Sequence, residues 1–178
     1  MAIILITGHV CSGKSTLSSL LLKNIPNSCH IDIAYIHAKC PNPFKEVSLT
    51  TGTIEERAVL VYDQIFTSLL SGKIPVVELL GEEPWFFALR KMLLKAWVRL
   101  VQVELQRDSI KTAMACLSER NRQKGHTSAI VQQVEGQQVQ NQYGRRYNLS
   151  AKHFTVSGVS IKEPFKYIME LLDESNQY

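Results

Sequence analysis

The stretch "AIILITGHVCSGKST" at residues 2–16 constrains the fold more than any other part of the chain. Its first six residues form a short, continuous, β-branched run, the pattern of a strand buried on both faces of a parallel sheet. From Lys14 the period changes. Leu17, Leu20, Leu21 and Ile25 fall on one face of a helix, and Pro26 stops it. Between strand and helix, "GHVCSGKS" fits G-x-x-x-x-G-K-S at Gly8, Gly13, Lys14 and Ser15. The glycines let the backbone curl until successive N–H groups converge on one anion, and the helix N-terminus adds partial positive charge. The whole segment, Gly8, His9, Val10, Cys11, Ser12, Gly13, Lys14, Ser15 and Thr16, is the expected nucleotide cradle. Lys14 is expected to reach the β- and γ-phosphates, and the Ser15 hydroxyl to ligate Mg²⁺. His9 and Cys11 occupy variable positions and are expected only to line the loop.

The rest of the chain repeats the alternation. "SCHIDIAYI" is a second strand ending near Asp32, "IPVVELL" a third, "VRLVQVEL" a fourth and "HFTVSG" a fifth. Helical stripes lie between them. Thr53 and Glu56 form a capping-box pattern ahead of Ile54, Ala58, Val61, Ile65 and Leu69, and Gly72 closes that helix. Trp85, Leu89, Met92 and Leu93 point a further helix inward. Asp108 is the expected cap of a helix with Ile110, Met114 and Leu117 on its core side, and a Gln-rich helix follows over residues 127–142. Ser160 and Glu163 open a last helix that packs Ile168 and Leu171. The expected architecture is α/β: a three-layer sandwich with a five-stranded parallel sheet, in one domain over residues 1–178. Residues 37–52, with two prolines, read as a long functional loop.

Charge and cysteines narrow the partners. The net charge is +4, which suits anionic substrates without demanding nucleic acid. The four cysteines form no C-x-x-C pair, which fits a reducing compartment and a cytoplasmic location. No apolar run approaches the roughly 18 residues of a membrane span.

A phosphate loop alone serves GTPases, motors and kinases. The chain has no D-x-x-G or N-K-x-D pair of a switch GTPase, and no LSGGQ of a transporter ATPase. With the loop at the N-terminus, an acid at the second strand and an arginine-bearing helix after the fourth, the layout resembles the P-loop small-molecule kinases of the nucleoside and nucleotide kinase group. The resemblance implies transfer of the γ-phosphoryl group of ATP, with Mg²⁺, to a small acceptor. It also implies roles for particular residues. Asp32 would accept the acceptor's hydroxyl proton or help hold Mg²⁺. Arg120 and Arg122 would belong to a lid, over about residues 118–147, whose arginines close on the transferring phosphoryl group; Arg145 and Arg146 are further candidates. The third strand departs from the group's pattern, with Leu80-Gly81 in place of Asp-Gly. A buried strand glutamate needs a partner, so Glu78 is the expected contact to Mg²⁺ or substrate there.

The resemblance implies a nucleoside or nucleotide as the acceptor. The alternatives are a polynucleotide 5′-hydroxyl, an antibiotic-type alcohol, or no acceptor at all in a non-catalytic nucleotide-binding module. Two other signals are weaker. Cys29, His30, His37 and Cys40 lack zinc-ligand spacing. Trp85, Phe86 and Phe87 could stack a base, but an aromatic cluster opening an amphipathic helix is usually core.

Overall fold

The structure, a computed structural model, describes residues 1–33, 53–81, 83–123, 125, 129–145, 150–157 and 160–174, without the side chains of residues 32, 129–131 and 174. In chain order the elements are β1 (Ala2–Gly8), α1 (Lys14–Asn24), β2 (Ser28–Asp32), α2 (Ile54–Leu70), β3 (Ile74–Glu78), α3 (Phe86–Lys95), β4 (Arg99–Arg107), α4 (Ile110–Gln123), α5 (Ala129–Gln142), β5 (Lys152–Val156) and α6 (Lys162–Glu174).

The five strands form one parallel sheet in the order β2-β3-β1-β4-β5. β1 is central. Ile4 sits between Val76 of β3 and Val101 of β4, and burial on both faces explains its unbroken apolar sequence. Odd residues Ile3 and Leu5 face α2 and α3, where they pack with Val61, Ile65, Phe86 and Leu89. Even residues Ile4 and Ile6 face α1 and α6, against Leu17, Leu21 and Ile168. Each such buried side chain contributes roughly 1.5–3 kcal/mol. After β1 the chain builds one side of the sheet, then crosses back to lay β4 on the other. The carboxyl end of β1 is therefore the reversal point, where open α/β sheets hold ligands.

Helix ends follow the chemistry of their residues. Thr53 and Glu56 form the capping box reciprocally, at 3.1 and 2.9 Å. At the other end of α2, Gly72 takes φ 72°, its N–H donates to Leu69, and Lys73 N–H donates to Ser68, which closes a Schellman motif. Three sequence expectations shift. β4 runs on to Arg107, and Asp108 N–H donates to Val156 O, so Ser109 rather than Asp108 caps α4, its Oγ accepting from Thr112 N–H at 3.0 Å. Ile110, in the first turn of α4, is 40% exposed, and Ala113 is buried with Leu117. In α6 Leu172 is the buried residue beside Ile168, and Leu171 is half-buried.

α4 and α5 form a hairpin with a small core of its own. Ala113, Leu117 and Val139 pack with Met114 and with Val10 and Cys11 of the loop after β1. Glu135 of α5 ties the pair together, accepting from Arg120 at 3.0 Å and Asn121 at 2.7 Å.

Candidate active site

The loop from Gly8 to Gly13 joins the central strand to α1, and its shape requires both glycines. Gly8 has φ 142°, and a Cβ there would lie 2.2 Å from the Leu105 carbonyl oxygen of β4. Gly13 has φ 104° and occupies the N-cap of α1. Cys11 also takes a positive φ, 62°, a strained value for a residue with a side chain. The N–H groups of Cys11, Gly13, Lys14 and Ser15 have no protein acceptor among the described residues. Ser12 Oγ is buried and equally without a partner. Unsatisfied donors gathered at a helix N-terminus suit an anion with several oxygens, as a polyphosphate is.

Lys14 is buried at 8% exposure and donates to the Gly8 and His9 carbonyls at 2.8 and 3.0 Å. Burial lowers its pKa, and the charges of Glu78 and Glu83 oppose that shift. Glu78, at the carboxyl end of β3, lies beside the start of α1. Its Oε1 accepts from Ser15 Oγ at 2.6 Å, and its Oε2 lies 3.3 Å from both Ser18 Oγ and His30 Nε2. Burial works to raise the Glu78 pKa, but the hydrogen bonds from His30 and Ser15 and the charge of Lys14 outweigh it, so the carboxyl stays below its ordinary range. An ionised carboxylate touching a hydroxyl at the mouth of the loop is the hard oxygen donor set that Mg²⁺ takes, with water completing its shell.

Other expected site residues lie at varying distances from this centre. The Asp32 backbone pairs in register with Glu78, at the carboxyl edge of β2; its side chain lies outside the described residues, as do His37, Cys40 and Arg146. Arg120 is close enough for its charge to act on both Cys11 and Lys14. Arg122 is not brought in: it is exposed and held by Glu119 at 2.9 Å. Arg145 is exposed as well. Trp85 and Phe86 belong to the core, at 3% and 0% exposure, and Phe87 is 64% exposed. Thr16 is exposed.

Sequence reasoning missed the braces of the loop. His9 is buried; its Nε2 accepts from Arg107 N–H at 3.0 Å and its Nδ1 lies 2.6 Å from the Val10 carbonyl. Those partners fix the neutral tautomer with the proton on Nδ1. Arg107 Nε donates to the Cys11 carbonyl at 2.7 Å. Val10 N–H donates to Gln142 Oε1 at 3.1 Å, and Tyr143 sets its ring edge-on to His9, 5.8 Å between centroids. No sequence signal marked Arg107, because its place beside the loop depends on β4 lying next to β1.

The fold matches solved kinases over almost the whole chain. The APS kinase CysC of Mycobacterium tuberculosis, solved with AMPPNP and APS, aligns at 19% identity and a TM-score of 0.61, covering 97% of each chain. The chain has the P-loop kinase fold. A gluconokinase from Sinorhizobium meliloti 1021 aligns at 14% identity and a TM-score of 0.59, covering 98% of this chain and 95% of that one. A sugar kinase from a Janibacter species gives 13% identity and 0.58, over 97% and 95%. No family model and no curated protein matches the sequence. In the P-loop kinase fold shared by these proteins, the Gly8–Gly13 loop and Glu78 stand at the carboxyl edge of the sheet. No helix of the described residues is long and apolar enough to cross a membrane.

Proposed function

We propose that the chain is an ATP- and Mg²⁺-dependent phosphotransferase that moves the γ-phosphoryl group to a hydroxyl of a small acceptor, a nucleoside or nucleotide. The observation that carries the reading is the Ser15–Glu78 contact beside a glycine loop in which the Cys11, Gly13, Lys14 and Ser15 amides lack protein acceptors among the described residues. That contact supports a cation held beside the donors of a polyanion. Mg²⁺, held by Ser15 with Glu78, would neutralise charge between the β- and γ-phosphates.

This chain's own residues do the rest. The loop amides bind the phosphates and fix their orientation. Lys14, already inside the loop, turns its ammonium from the Gly8 and His9 carbonyls to the phosphate oxygens. Asp32, on the strand next to Glu78, takes the proton of the acceptor hydroxyl as its oxygen attacks. Arg120, the lid arginine nearer the loop, offsets charge on the transferred group. The whole chain acts as one domain, with the lid at about residues 118–147. Cys11, Cys29 and Cys116 are free thiols, which fits a cytoplasmic enzyme. The named activities of the structural neighbours, on APS, gluconate and sugars, support a small-molecule acceptor.

The test is a panel of nucleosides, nucleotides, sugars and oligonucleotides with labelled ATP, run on the wild type and on Lys14→Ala. Transfer to a small acceptor is expected, with a loss of ~10²-fold or more in the variant. ATP binding without transfer to any acceptor would make the chain a nucleotide-binding module. Undiminished turnover in Lys14→Ala would move the active site elsewhere.

A further inference from the structure

α5 is a polar helix with a narrow buried seam. Its sequence carries six glutamines. Gln132, Gln133, Gln137 and Gln140 are exposed and Gln138 is half-buried, whereas Gln142 is buried at 2% exposure. Gly136, Val139 and Gln142 make the buried line, spaced three residues apart. Val139 packs in the cluster that includes Val10 and Cys11, and Gln142 reaches past it to the Val10 amide. A buried glutamine needs partners for its amide, so a helix that merely packed here would be better served by an apolar residue.

The bond also spans 132 residues of sequence and ends inside the phosphate loop. It fixes the amide that precedes the unpartnered N–H groups of Cys11, Gly13, Lys14 and Ser15. On the same side Tyr143 abuts His9, the loop's brace to β4. The loop is thus gripped from two directions: by β4 through His9 and Arg107, and by α5 through Gln142.

We propose that Gln142 is a positioning residue for the phosphate loop. Its side-chain carbonyl fixes the Val10 amide, and through it the α4–α5 hairpin sets the readiness of the loop for a nucleoside di- or triphosphate. The inference rests on the phosphotransferase reading for its ligand, but the bond itself is a property of the nucleotide-free protein. Without Gln142 the Val10 amide loses its acceptor or turns out of place, and the neighbouring amides lose their common aim. A nucleotide must then order the loop as it binds, which weakens affinity. The loss of one such bond is worth on the order of tenfold in a dissociation constant.

The experiment uses the full chain with Gln142→Met, which keeps length and removes the acceptor, and Gln142→Glu, which keeps an acceptor in the same place. Amide exchange at Val10 is followed by NMR without nucleotide, and ADP affinity by calorimetry. In Gln142→Met, Val10 protection falls and the ADP dissociation constant rises about tenfold. In Gln142→Glu, Val10 protection is restored; a glutamine that merely filled space would show no such rescue. Unchanged ADP affinity in Gln142→Met would overturn the proposal, as would tighter binding, which would make Gln142 a competitor of the phosphate. Failure of Gln142→Glu to protect Val10 would overturn it too. If the wild type bound no ADP while Val10 responded as stated, the phosphotransferase reading would fall and the brace would stand.

Discussion

At position 9 the loop motif accepts any residue, and this chain places a histidine there that is 3% exposed. Burial is the main cause of its lowered pKa; the Val10 carbonyl opposes the shift, and the charges of Lys14 and Arg107 add to it. In the unfolded chain the same imidazole titrates near 6.5. The folded state therefore binds fewer protons than the unfolded state as the pH falls through that value. His9 contributes stability above about pH 6.5 that is lost between there and its lower folded pKa. The slope is at most about 1.4 kcal/mol per pH unit. Urea unfolding at pH 7.5 and 5.5 should show the wild type losing about 1 kcal/mol more than His9→Gln, which does not titrate. Equal losses would mean that His9 binds protons in the fold as it does in the unfolded chain. The motif made Gly8, Gly13, Lys14 and Ser15 legible because each has one chemical task at fixed spacing. His9, Arg107 and Gln142 were not legible, because each acts on the loop's backbone. Arg107 and Gln142 lie 94 and 129 residues beyond Gly13, and no local pattern records such a bond.

The α4–α5 hairpin is the element whose stability should separate from that of the sheet. Its core is Ala113, Leu117 and Val139 with a few half-buried neighbours, against the two large clusters on the sheet faces. Glu135 supplies much of the remaining hold, through Arg120 and Asn121. Both ends of the Arg120–Glu135 ion pair are part-exposed, so screening reduces its worth. Glu135→Gln should lower the opening free energy of the hairpin by about 1 kcal/mol. Amides of residues 129–142 would then exchange roughly fivefold faster, while those of β1 and β4 keep their rates. Acceleration throughout the sheet would show that the hairpin opens only with the whole fold. The elements themselves were largely legible, since strand and helix periods differ and Thr53, Gly72 and Pro26 punctuate them. The start of α4 was not: Asp108 and Ser109 are both good caps, and the choice is made by β5, whose Val156 carbonyl takes the Asp108 N–H. The order of the strands was equally out of reach, because alternation fixes their direction and not their neighbours.

On the scale of the molecule the question is which acceptor its charge can hold. A polynucleotide needs several phosphates neutralised by cations along one groove. The net charge is +4, and the densest basic sequence is Arg120, Arg122 and Lys124. Two of these are already engaged within the protein, Arg120 by Glu135 and Arg122 by Glu119. Lys14 is buried in the loop. Recruiting Arg122 to a nucleic acid would first break its ion pair with Glu119, and Arg120 is already assigned to the transferred phosphoryl group. Acceptor affinity should therefore fall only modestly between 50 and 200 mM salt, about threefold for one phosphate contact and about sevenfold for two. A single-stranded polynucleotide held by about four contacts has a slope near −0.7 per contact, so the same fourfold rise in salt would weaken it nearly fiftyfold. Titrating the acceptor at both salt concentrations, with ATP affinity measured beside it, separates the two cases. A drop near fiftyfold for the acceptor, with ATP unchanged, would overturn the small-molecule reading and turn attention to the exposed cations of α4.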